Sequence, residues 1–166
     1  MKIVGFAGFA KSFLAWNLAG AVESSVIYAD PRAPYRVWNR HIRIYEHWLD
    51  VKRLQPSPAL VCVDHEESDV TPEVVVYGVT PDLARVQAAM RTLQQASRPT
   101  VLVLVGYEDT GVPWIFPAEF RPTLILPWDM RQATCALVGA PLTRRDPAWR
   151  VKFETLWREI QHVASM

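Results

Sequence analysis

Apolar residues along this chain fall in short unbroken runs rather than in alternation. Lys2–Phe6 (KIVGF), Ser25–Ala29 (SVIYA), Ala59–Val63 (ALVCV), Glu73–Val79 (EVVVYGV), Thr100–Val105 (TVLVLV) and Thr123–Leu126 (TLIL) each read as a strand covered on both faces. Between several of them the apolar spacing changes to that of an amphipathic helix. Lys11–Val22 carries Phe13, Leu14, Asn17, Leu18 and Ala21 at that spacing. Residues 35–54 carry Tyr35, Trp38, Ile42, Tyr45, Trp48 and Leu49. Pro81-Asp82 opens a helix from Leu83 to Gln95, and a last helix runs from Pro147 to Val163. Asp30-Pro31 stops the second strand, and Pro56 and Pro58 close the second helix. The proline-rich stretch 112–127 reads as a long loop packed down by Trp114, Phe116 and Phe120. Alternating strands and helices predict an α/β fold, one domain over residues 1–166, with a mainly parallel sheet flanked by helices on both faces.

Composition fits that expectation. The chain has 166 residues, of which 50% are hydrophobic and 21% charged, so it can build one ordinary core. Its formal net charge is +1, which gives no global electrostatic case for nucleic acid or an anionic membrane. Cys62 and Cys135 form no CxxC pair and no Cys/His metal spacing. Cys62 lies in an apolar strand and reads as a buried, inert thiol. The apolar stretch Ile3–Val22 is interrupted by Gly5, Gly8, Lys11, Ser12 and Asn17. It reads as strand, turn and helix, not as an integral membrane segment or leader, and a cytoplasmic location is expected.

The chemistry is sought at the carboxyl ends of the strands, where ligands of open α/β sheets bind. After the first strand comes Gly5-Phe6-Ala7-Gly8-Phe9-Ala10-Lys11-Ser12. A phosphate-binding P-loop has the form G-x-x-x-x-G-K-[ST]: glycines turn N–H groups inward, Lys reaches the terminal phosphates, and the hydroxyl takes Mg²⁺. Gly5, Lys11 and Ser12 match, and Ala10 stands where the motif wants Gly. A Cβ there is tolerated at negative φ and costly at positive φ. Asp64 ends the third strand, where P-loop proteins place an acid on the Mg²⁺. Asp30, ending the second strand, is a second acid on the same rim. If the protein is an active enzyme, Asp30 and Asp64 are the catalytic candidates. The plain alternative is a strand-to-helix turn with loop carboxylates nearby.

In the order of its motifs the chain resembles the ParA/MinD family of deviant P-loop ATPases, which includes the CpaE-like secretion and pilus proteins. That family carries K-G-G-x-G-K-[ST], a helix like LAxNLA and a strand ending D-x-D-P. Here Ala15-Trp16-Asn17-Leu18-Ala19 follows the helix pattern, and Asp30-Pro31 follows the second Asp and the Pro. Thr80-Pro81-Asp82 follows a later turn into a helix. Leu126-Pro127-Trp128-Asp129, Gly139-Ala140-Pro141-Leu142 and Ala148–Ile160 follow the family's closing order. Each motif is loose alone, and their collinearity carries the resemblance. It implies a P-loop fold and bound ATP or ADP with Mg²⁺. Gly5, Gly8, Lys11, Ser12, Pro127 and Asp129 are its cofactor-binding candidates, and Ser12 and Asp64 its metal candidates. It also implies a homodimer or a protein partner, in a positioning, partition or secretion system.

The departures bear on catalysis. Phe6 stands at the family's signature Lys, Ala7 and Ala10 at two of its glycines, and Tyr28 at the first Asp of D-x-D. Gly106-Tyr107 replaces an adenine-contacting Asn. Only a short segment separates Asp64 from the next strand, so the family's intervening helix is expected to be missing. A cation over the transferring phosphoryl group contributes on the order of 10³-fold in rate. The resemblance therefore implies a reduced member with weak or lost nucleotide binding and poor hydrolysis. An active ATPase with a divergent loop, and a module binding another anion or protein, are the alternatives.

Two further features have plain readings. The last helix groups Trp149, Phe153, Leu156, Trp157, Ile160 and Val163 on one side, with mixed charges elsewhere. Without a cationic bias it suits the core better than a lipid surface. Arg32, Arg36, Arg40, Arg43, Lys52 and Arg53 lie beside aromatic residues, as in some nucleic-acid binders. A solvated face is preferred, so a nucleic-acid partner is not expected. His41 and His47 lack a same-face helical metal spacing.

Overall fold

Val-rich runs with no polar side need cover on both faces, and the computed structural model of the protein supplies it. It describes residues 1–29, 42–108 and 116–166. The strands are β1 (Lys2–Gly8), β2 (Ser25–Tyr28), β3 (Arg43–Tyr45), β4 (Leu60–Asp64), β5 (Val74–Val79), β6 (Thr100–Tyr107) and β7 (Leu124–Pro127). They form one sheet in the order β3-β2-β4-β1-β5-β6-β7, every pairing parallel. The helices are α1 (Lys11–Ala21), α2 (Trp48–Lys52), α3 (Leu83–Gln94), α4 (Arg131–Leu137) and α5 (Pro147–Val163).

Side-chain parity along each strand sorts the core into two faces. Val4 and Phe6, Leu60 and Cys62, Val74 and Val76, and Val101, Val103 and Val105 face α1 and α5, with Leu14, Leu18, Phe153, Leu156 and Ile160. On the other face Leu102 and Leu104 meet Val86 and Ala89 of α3 and Phe120 of the loop before β7. Val61 and Val63 meet Val51 of α2. Cys62 and Cys135 are both buried and free, and burial pushes both thiols up in pKa.

The expected helix over residues 35–54 is corrected in its second half. Its residues 35–41, with Tyr35, Trp38 and His41, lie outside the described residues, as do Asp30, Arg32 and Trp114. Ile42 is buried, and Arg43–Tyr45 form the edge strand β3, with Val26 opposite Arg43 and Tyr28 opposite Tyr45. Ile-Arg-Ile-Tyr alternates apolar with polar and is rich in β-branched residues, so it suits a strand edge. Among the described residues of this segment, helix begins at Trp48. The helix α4 has no counterpart among the sequence expectations.

The connection from β4 to β5 must cross over β1, which lies between them. Such parallel crossovers commonly need a dozen or more residues and a helix. Here residues 65–73 cross with turns alone, matching the expected missing helix. Gly5 makes this possible: a Cβ there would lie 2.8 Å from Pro72 Cγ and 3.1 Å from His65 Cβ. Its missing side chain lets the crossover lie directly on the sheet.

Candidate functional site

Gly8, Lys11, Ser12 and Asp64 of the sequence candidates lie at the carboxyl end of β1 and the neighbouring end of β4. Strand β1 is longer than the motif suggests: it pairs through Phe6 with Asp64 of β4 and through Gly8 with Gly78 of β5. Only Phe9 and Ala10 separate it from α1. The Phe9 N–H donates to the Gly78 carbonyl at 2.9 Å, so the turn folds down onto β5. Gly5 sits in mid-strand, while Gly8, Lys11 and Ser12 lie at the turn and the first helical positions.

Two residues of the turn adopt left-handed backbone: Gly8 at φ 73° and Ala10 at φ 57°. The motif's Gly is therefore needed for its conformation here, and Ala10 bears the cost of a Cβ at positive φ. Ala10 caps α1 without a side-chain hydrogen bond, and no acidic residue lies in the first turn. The helix thus starts with unmet N–H groups and the partial positive charge of its dipole.

Lys11 stands at that positive end, paired to two carboxylates. Its Nζ lies 2.8 Å from Asp64 Oδ2 and 2.8 Å from Glu66 Oε2. These hydrogen bonds, Asp64's first, hold the ammonium well above the usual lysine range against the opposing effect of burial. The second oxygen of Asp64 is engaged too: Oδ1 accepts from the N–H of Glu66 at 2.9 Å and of Glu67 at 3.3 Å. This Asx turn directs Glu66 back over β1, where its Oε1 accepts a long 3.5 Å bond from the Gly8 N–H. One carboxylate thus spans the strand-end N–H and the loop lysine. Glu66 was absent from the sequence candidates; its signal was only its place two residues after a strand-end Asp.

The positions at which the sequence departs from the family it resembles are filled by packing groups. Phe6 is fully buried against α1, so a lysine ammonium in its place would meet an apolar core. Tyr28 packs edge-on to Trp48 with ring centroids 5.5 Å apart, and its hydroxyl donates to Asp69 at 3.3 Å. Ser12 is half-buried beside Lys11. Asp30 lies outside the described residues.

Pro127 and Asp129 lie on the same rim but three strands from β1, about 14 Å away at ordinary strand spacing. Asp129 is gripped by Arg131, whose Nε and Nη2 donate to it at 3.0 and 2.6 Å. The same guanidinium lies 2.8 Å from Asp146, whose carboxylate caps α5 by accepting from Ala148 and Trp149 N–H. Arg131 holds both carboxyls below their ordinary range. The structure thus brings together Gly8, Lys11, Ser12 and Asp64, and keeps Pro127 and Asp129 apart from them. No cluster of three or more His, Cys, Asp or Glu side chains suited to a metal occurs among the described residues. No helix among them is long and apolar enough to cross a membrane.

No protein-family model matches the chain, and no curated protein does. Among solved structures it is similar to the MinD cell division protein of Aquifex aeolicus, with TM-score 0.69 and 12% identity, covering 97% of this chain and 98% of that one. It is also similar to a chain of the MinC:MinD cell division protein complex of the same organism, with TM-score 0.64 and 11% identity, covering 97% and 96%. The parallel sheet, with a strand-turn-helix lysine at its centre, is a fold the chain shares with these MinD structures.

Proposed function

We propose that this protein is a degenerate relative of the ParA/MinD ATPases that acts as a regulatory or scaffolding partner in a positioning, partition or secretion system. It works through protein contact, in a homodimer or with a second protein, and its nucleotide binding is weak or lost. The observation that carries this reading is the double pairing of Lys11 by Asp64 and Glu66 at 2.8 Å. The charge that would meet a phosphate is already neutralised, and both oxygens of the Mg²⁺ candidate Asp64 are engaged. The two-residue turn offers little backbone to surround phosphates. A buried Phe6 stands where the resemblance places the catalytic cation. The MinC:MinD complex supports the partner reading, since a chain of similar fold there joins a second protein.

One observation favours an active ATPase: Lys11, Ser12 and Asp64 meet at one strand end, and these residue types suit a phosphate and its Mg²⁺. ATP turnover and calorimetric binding of ATP and ADP with Mg²⁺, on wild type and Lys11→Ala, separate the two. Turnover at buffer level with weak binding is expected. Turnover that Lys11→Ala abolishes would establish the ATPase instead.

A further inference from the structure

Trp128 and Met130 are exposed beyond β7, but nothing identifies what would cover them. The Arg131 bridge is explained by joining α4 to the cap of α5. The placement of Glu66 is different, because its carboxylate reaches back across the strand end to a lysine and a backbone N–H together. Its backbone N–H, not its carboxylate, closes the Asx turn.

We propose that Glu66 is an internal stand-in for a phosphate group, seated on Lys11 and the Gly8 N–H, and that it occupies the anion position at this strand end. This rests on the reading of the strand-end turn as a muted nucleotide site and adds one cause of the muting to the short turn and the buried Phe6. A carboxylate and a phosphate share the chemistry that matters here. Each is a compact anion whose separate oxygens can accept from an ammonium and a backbone N–H together. Glu66 places Oε2 on Lys11 Nζ at 2.8 Å and Oε1 toward Gly8 N–H at 3.5 Å. The side chain is 53% exposed, so it can swing into solvent without opening the core. An ion pair so open to water is weak, and a polyanion with a higher charge can displace it.

Asp64 couples the two halves of this arrangement. Its Oδ2 holds Lys11 while its Oδ1 fixes the turn that aims Glu66.

The test is calorimetry on the full chain, with Mg-ATP and with inorganic pyrophosphate as separate probes. The variants are Glu66→Gln, Glu67→Gln and the double variant Lys11→Ala/Glu66→Gln. Glu67→Gln makes the same charge change one residue away and controls for the general field. If the carboxylate is seated nine-tenths of the time, freeing the site tightens apparent affinity about tenfold. Glu66→Gln is expected to bind at least that much more tightly than wild type, and Glu67→Gln to stay within about twofold of it. The gain should vanish in the double variant. Glu66→Gln binding no more tightly than Glu67→Gln overturns the proposal, including the case in which neither binds. If wild type stays weak in that case, the muted-site reading survives. Micromolar binding by wild type overturns that reading instead, while a further tenfold gain in Glu66→Gln would still uphold the seated carboxylate. A second readout is acylation of Lys11 by a water-soluble anhydride, mapped by mass spectrometry. Faster labelling in Glu66→Gln than in Glu67→Gln is expected, and equal rates count against the seat.

Discussion

Asn17 and Thr143 join the first helix to the penultimate turn through two buried hydrogen bonds. The Thr143 N–H donates to Asn17 Oδ1 at 3.2 Å, and the Thr143 hydroxyl donates to the Asn17 carbonyl at 2.9 Å. Asn17 also donates from Nδ2 to the Phe13 carbonyl at 3.1 Å. Both residues are 1% exposed, so neither has water as a substitute partner. Asn17→Ala leaves the Thr143 N–H unmet and should cost about 2–3 kcal/mol. Thr143→Val should cost about 1 kcal/mol. Urea unfolding followed by tryptophan fluorescence measures both, and near-neutral behaviour of Asn17→Ala would refute the assignment.

The left-handed Ala10 makes a sharper local prediction. An L-residue in that conformation costs about 1–2 kcal/mol, part of which Gly returns as unfolded-state entropy. Ala10→Gly should therefore raise stability by about 0.5–1 kcal/mol. Gly78 stands opposite, where a Cβ would lie 1.9 Å from the Phe9 carbonyl oxygen. Gly78→Ala should cost about 2 kcal/mol or more, because the backbone of the turn must shift. Thermal denaturation of the two variants should move in opposite directions.

Much of this was legible in the sequence, for physical reasons that differ by element. Continuous apolar runs identify buried parallel strands because nothing in them needs water, and six of the seven were read that way. The seventh, β3, is three residues long at an edge, where the aromatic spacing of Trp48 and its neighbours suggested helix. The motifs around Asn17 and Gly139-Ala140-Pro141-Leu142 were read as signs of kinship, and the structure shows what they do together. Gly20 lets Pro141 approach, since a Cβ at Gly20 would sit 2.5 Å from Pro141 Cγ. Lys11 and Asp64 were each placed on the rim, as a phosphate and a Mg²⁺ candidate, and the structure adds the ion pair that joins them. Glu66 was not placed there, because its role depends on a crossover lying flat over Gly5, a tertiary fact that no local pattern encodes.

Acid should weaken the junction of α4 and α5 by way of Arg131. Its guanidinium lowers the carboxyls of Asp129 and Asp146 in the folded state. A depressed folded pKa gives stability that is present above the unfolded value of about 3.9 and is lost as pH falls through the folded value. Wild type should resist urea better than Arg131→Met at neutral pH. The gap between their midpoints should close as pH drops below about 4. A gap unchanged by acid would mean the bridge contributes packing rather than charge. The bridge is exposed, so the effect belongs in midpoint shifts at low salt, where screening is least.

The terminal helix offers the last test, because its apolar side could serve either the core or a lipid surface. Phe153, Leu156 and Ile160 of α5 are fully buried, and Phe13 of α1 meets Phe153 edge-on with ring centroids 6.3 Å apart. Val151, on the same helix, is 57% exposed. If α5 is part of the core, Phe153→Ala should cost about 3–5 kcal/mol through lost burial and the cavity left behind. Val151→Ala should stay within about 0.5 kcal/mol of wild type. A helix that spent much of its time undocked would show the two substitutions costing nearly the same, since neither side chain would then lose a packed neighbour. Equilibrium urea unfolding decides between these cases. A large cost confined to Phe153→Ala would mean that the apolar side of α5 is committed to the sheet and is not free to bind lipid while the fold is intact.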